Sequence, residues 1–132
     1  MNDDLERLEG LTQIAGLAFR AAQAEMATLA RREADLRRNL AQLTESKSTL
    51  ARSARRSDEA ALIAGADMRW HQWVDQRRAT INAELAQVFA LMENCREKLR
   101  QAYGKDQAAE ALFEHALLGA RTRRRKRSDY ES

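Results

Sequence analysis

Residues 5–54 read LERLEGLTQIAGLAFRAAQAEMATLARREADLRRNLAQLTESKSTLARSA. Within them Leu5, Leu8, Thr12, Ala15, Phe19, Ala22, Met26 and Leu29 recur at alternating steps of three and four. Glu33, Leu36, Leu40, Leu43, Lys47, Leu50 and Ala54 continue the alternation. A 3.5-residue repeat keeps one narrow stripe of a helix facing one partner helix, as a left-handed coiled coil requires. No proline interrupts the stripe, since the chain contains none. The pattern predicts a long helix in need of a partner, and it predicts no catalytic site.

The partner stripe lies downstream. Val74, Arg78, Ile81, Leu85, Val88, Met92, Cys95, Leu99, Ala102, Asp106, Ala109, Phe113 and Ala116 alternate by four and three in the same way. Two stripes of similar length joined by a short segment predict an all-α fold: an elongated antiparallel two-helix coiled-coil hairpin with a short helical turn at its tip. The expected boundaries are a helix over 3–52, roughly 75 Å long at 1.5 Å per residue, a tip segment over 53–66, a helix over 67–125 and a disordered tail over 126–132, all in one domain. Asp3 and Asp4 complement the dipole of a helix start. At the tip, Ser57-Asp58-Glu59 is a capping signal, Ala60 to Ile63 a turn or two of helix, Gly65 its end, and Asp67 the cap of the second long helix.

With the turn near residue 62, Leu50 falls opposite Val74, Leu43 opposite Ile81, Leu36 opposite Val88 and Leu29 opposite Cys95. Polar residues interrupt the stripes at Glu33 and Asp106, where they can fix register at a cost in stability. Lys47 falls near Arg78, which weakens the tip end or marks a place where another protein supplies acid. Leu11, Ile14 and Leu17 widen the first stripe, and Leu91, Leu112 and Leu117 the second. Gly10 and Gly16 either let another backbone come close or are tolerated at about 1 kcal/mol each. Gly104 is expected to loosen its helix locally.

The 132 residues are 44% hydrophobic and 33% charged but only 5% aromatic, a balance suited to long helices rather than a broad globular core. Of 23 Arg and Lys, six fall in 121–127; the other 17 face 18 of the 20 acidic residues within 1–120, so the basic character belongs to the tail. The single cysteine, Cys95, sits in a stripe and reads as a buried reduced thiol, in keeping with a cytoplasmic location. No apolar run is long enough to span a bilayer, and Asn2-Asp3-Asp4 is not the start of a signal peptide.

Chemistry-bearing residues are sparse. Asp67, His71 and Asp75 share a helix face at metal-ligand spacing, but a site needs three or four convergent ligands, and Glu114 and His115 diverge. No nucleophile, phosphate-loop or metal-binding motif is present, so no catalytic residue, cofactor or metal is expected. Trp70 and Trp73 stand together beside the tip. They either pack on Leu62 and Ile63 to pin the turn or offer an aromatic hot spot to a partner. Arg121, Arg123, Arg124, Arg125, Lys126 and Arg127 form the basic tail. It is a solvated helix end, a contact for an acidic protein or membrane surface, or a nucleic-acid contact; no aromatic is interleaved to stack bases, which disfavours the last.

The stretch Ala21-Ala22-Gln23-Ala24-Glu25-Met26-Ala27-Thr28-Leu29, running on to Leu36, Leu40 and Leu43, resembles the first-helix pattern of the FliJ/YscO family of type III secretion. The stretch Tyr103-Gly104-Lys105-Asp106-Gln107-Ala108-Ala109-Glu110-Ala111-Leu112 is similar to that family's closing segment. The resemblance implies a non-enzymatic stalk of flagellar or injectisome export. One end would enter a hexameric export ATPase, and the other would touch the export gate at the inner face of the cytoplasmic membrane. On this chain the ATPase end comprises Leu5, Leu8, Leu11, Phe113, Leu117 and the basic tail; the gate end comprises Met68, Trp70, Trp73 and Val74. Two other functions fit the same residues: an unrelated coiled-coil adaptor that self-associates, and a nucleic-acid-associated protein acting through the tail, whose binding would fall steeply with salt.

Overall fold

The computed structural model describes residues 2–54 and 60–131, with side chains over 3–52 and 65–131. They form two helices, α1 (Asn2–Ala54) and α2 (Ala60–Glu131), which pack against each other. Asp3 and Asp4 occupy the first turn of α1 as the dipole favours. No described residue, glycine included, has a positive φ.

Burial follows the two stripes. Ala15, Ala22, Leu36, Val74, Ile81, Leu85, Val88, Met92, Cys95 and Ala109 are buried, and every one is a stripe residue. On α1 the partly buried positions are the rest of the stripe from Leu5 to Lys47, together with Gly10 and Gly16; Leu50 is already exposed. No polar or charged side chain is fully buried among the described residues. Each helix thus hides about two residues in seven, the share a heptad face provides.

The helices contribute to two compact units. The first comprises Met1–Met26 with Asn94–Ser132, the second Ala27–Glu93. The second unit has an aliphatic core: Val74, Ile81 and Val88 are almost wholly enclosed, and Leu36, Leu85 and Met92 surround them in the sequence pattern. An exposed ion pair joins Arg32 to Glu84 at 3.9 Å, and the Arg37 guanidinium lies 5.7 Å from the centroid of the Phe89 ring. The first unit buries small residues instead: Ala15, Ala22, Ala109 and Cys95. There the Cys95 thiol donates to the Ala22 carbonyl at 3.6 Å, and Phe19 and Tyr103 meet at 5.5 Å between ring centroids, tilted by 51°.

Several expectations need correction. Gly65 does not end a helix: α2 runs from Ala60 through it, because alanines on both sides hold the helix and one glycine costs only about 1 kcal/mol. Asp67 does not cap. Its carboxylate lies 3.2 Å from Nε2 of His71, one turn on, inside the helix. The tail expected to be disordered from 126 is helical through Glu131, since Arg and Lys are good helix formers and no glycine follows Gly119. Gly104 leaves α2 unbroken.

Close approach does not explain the α1 glycines either. A Cβ on Gly10 would meet nothing within 4 Å, and one on Gly16 would make only ordinary contact with Oδ1 of Asp106 at 3.6 Å. Leu11, Ile14, Leu17, Leu91 and Leu112 do not thicken the core. They are exposed, because two helices can cover only the stripe that faces the partner. Cys95 contacts Ala22, one heptad before the expected Leu29, so number-matching across the pair locates the stripe only to within a heptad. The Ser57-Asp58-Glu59 signal lies outside the described residues, as do the side chains of Leu62 and Ile63.

Candidate functional site

Three surfaces gather the residues singled out from sequence. In the second unit, Trp70 and Trp73 stack with ring centroids 5.2 Å apart and planes inclined by 24°. One turn of helix separates them, which places both indoles on the same side of α2. Trp73 is half exposed and Met68 more so, whereas Val74 is fully enclosed. Val74 therefore cannot be a docking residue; it is a core residue whose stripe position points it at α1. Trp70 lies against α1, where it lines one cavity with Ser46, Thr49 and Leu50 and another with Leu43 and Ile81, a pair matched from sequence. Its indole N–H is buried and finds no acceptor among the described residues. An orphaned donor of this kind costs about 1–3 kcal/mol.

Asp67 and His71 adjoin this pair of indoles in sequence, but no group of three or more His, Cys, Asp or Glu side chains fit to hold a metal forms among the described residues. Asp67 and His71 act on each other.

In the first unit, the beginning of α1 and the end of α2 form a cleft of about 260 Å³ between Asp4 and Leu5 on one side and Ala116, Ala120, Arg123, Arg124 and Arg127 on the other. Arg123 is steadied by donating from Nε to the Gly119 carbonyl at 3.3 Å. The helix continues past residue 125, so Arg123 and Arg127 stand one turn apart and share the cleft, while Arg121, Arg125 and Lys126 do not line it. All six bases are exposed. Leu5, Leu8, Phe113 and Leu117 are partly buried, and Leu11 is largely exposed.

The third surface was not grouped from sequence. Leu11, Ile14 and Ala18 on α1 and Lys105, Ala108 and Leu112 on α2 line an open apolar groove of about 480 Å³ in the first unit, with Lys98 at its margin. The signal that could have found it was present: Leu11, Ile14, Ala18 and Ala21 step by three, four and three beside the main stripe. Leu11 and Ile14 read as a broadened core because apolarity says that a face is covered, not by what.

No helix of the described residues is long and apolar enough to cross a membrane. In comparisons with known proteins, no family model, no curated protein and no solved structure matches this chain.

Proposed function

We propose that the chain is a non-enzymatic antiparallel coiled-coil hairpin that couples protein partners, in the manner of the FliJ/YscO stalks of type III export. The observation that carries this reading is the division of surface chemistry between the two units: stacked indoles in one, and an ordered arginine array in the other. Contacts between the helices support the antiparallel sense. Partner numbers fall along α2 as they rise along α1, with Phe19 beside Tyr103 and Ala22 beside Cys95 in one unit, and Arg32 beside Glu84 in the other. The single-stripe burial supports coiled-coil packing. In this reading Met68, Trp70 and Trp73 meet an export-gate subunit, while Leu5, Leu8, Leu11, Phe113, Leu117 and the bases from Arg121 to Arg127 meet a hexameric ATPase. The protein itself works in the cytoplasm at the membrane face. The resemblance quoted for residues 21–43 and 103–112 supplies the identity of these partners.

The test is capture from lysate of the source organism at moderate salt, with the full chain and with residues 121–132 removed. Recovery of a hexameric ATPase or an export-gate subunit supports the reading and shows which partner depends on the tail. Recovery of nucleic acid alone, lost with the tail and with added salt, rejects it in favour of a polyanion binder.

A further inference from the structure

The cleft between the start of α1 and the end of α2 carries unbalanced charge. Arg123, Arg124 and Arg127 line it, Asp4 is the one acid on its wall, and Leu5, Ala116 and Ala120 complete it. Among the described residues none of these four charges is in an ion pair. Three guanidiniums against one carboxylate leave two positive charges around about 260 Å³. We propose that this cleft binds a phosphate monoester group, carried either by a small soluble molecule or by a lipid headgroup. The proposal neither needs nor excludes the export-stalk reading, because Arg121, Arg125 and Lys126 lie outside the cleft and stay available to a protein partner.

Charge, donor geometry and extent select this ligand. A phosphate monoester carries about −1.5 to −2 charges at neutral pH and offers three strong acceptor oxygens, which matches the surplus. Each guanidinium is a rigid planar fork of donors suited to paired hydrogen bonds with such oxygens. A carboxylate brings one charge and two oxygens; a single fork uses both and leaves the other arginines unmatched. A polynucleotide needs a basic groove that tracks its backbone. Here the six bases spread round the helix and only three share the cleft, so no such track forms. The volume is at the small end of ligand sites, which suits one compact anion. The trio is also partly arranged in advance. Arg123 and Arg127 stand one turn apart on a continuous helix. Nε of Arg123 donates to the Gly119 carbonyl at 3.3 Å, which holds the side chain back along the helix and leaves both terminal nitrogens for a ligand. Its Nη2 accordingly lies 3.7 Å from where a Cβ on Gly119 would stand.

The test titrates the full chain with inorganic phosphate and with glycerol 3-phosphate at constant ionic strength, followed by NMR of the arginine side chains. A second arm uses co-sedimentation with phosphatidylcholine vesicles that carry phosphatidic acid, a monoester, or phosphatidylglycerol, a diester, at matched surface charge. Two double variants lose the same charge: Arg123→Gln with Arg127→Gln inside the cleft, and Arg121→Gln with Arg125→Gln outside it. All four side chains are exposed and glutamine is a good helix former, so both variants are expected to keep their helicity by circular dichroism. The expected result is saturable binding that the inner pair weakens about tenfold more than the outer pair. Saturation by the soluble phosphates assigns a soluble ligand; saturation confined to phosphatidic acid vesicles assigns a headgroup. Equal losses in the two variants overturn the proposal, as does a failure of every monoester probe to saturate. Vesicle binding that phosphatidylglycerol matches, with no saturation by the soluble phosphates, overturns it too, since it marks attraction to surface charge alone.

Discussion

Trp70 shows how much can rest on one atom. Its indole N–H is buried and meets no acceptor among the described residues. Trp70→Phe keeps most of the apolar ring and removes that donor. The expected outcome is a melting temperature unchanged or raised, by up to about 1 kcal/mol of stability. Trp70→Ala is expected to lower stability by about 3 kcal/mol. If a partner supplies the acceptor, Trp70→Phe weakens that partner while stabilising the free chain, a divergence that packing alone would not produce.

The glycines offer a second test at the same scale. A Cβ at Gly10 or at Gly104 meets nothing within 4 Å, and neither residue has a positive φ. Gly10→Ala and Gly104→Ala should each stabilise by roughly 1 kcal/mol in thermal melts. At Glu97 the hydrogen bond from Arg100, and then its charge, hold the carboxyl below the usual glutamate range. A lowered folded value means that the contribution is present above the unfolded value and is lost as pH falls through the folded one. The side chain is exposed, so the effect is local. A carboxyl NMR titration should place the Glu97 midpoint below the usual glutamate range, and Arg100→Ala should raise it.

At the scale of the element, the stripes were legible and their limits were not. Spacing alone identified Leu36, Val74, Ile81, Val88 and Cys95 as core, because a helix facing a single partner can bury only one periodic face. The same reasoning could not tell that Leu11 and Ile14 lie outside it, since a periodic apolar face records burial without naming the surface that covers it. Gly65 and the tail were misread for a different reason. Punctuation by one glycine or a charge run is a weak local preference, and a long helix already nucleated overrides it. The core assignment can fail a direct test. Leu36→Asp places a charge where only 6% of the residue is open to solvent, and it should abolish most of the ellipticity or move the melt down by tens of degrees. Trp70→Ala combined with Trp73→Ala should spare the first unit, whose Phe19 and Tyr103 contact can be followed by aromatic NMR.

For the whole molecule, the two units differ in what holds them. One encloses Val74, Ile81 and Val88; the other encloses alanines and a cysteine. Burying a branched aliphatic side chain contributes about 1.5–3 kcal/mol, far more than a methyl group does. Amide hydrogen exchange should therefore be slower over α2 residues 74–92 than over 99–116.

The alanine-lined core of the first unit also bears on how long a chain survives in a cell. Proteases act on whatever opens most often, and a segment whose leucines are uncovered opens before one whose valines are enclosed. Unassembled chains would be cleaved first in 1–26 and 94–132, while assembled ones persist. The abundance of the protein would then track the supply of whatever covers that face, and surplus copies would be cleared without any dedicated signal.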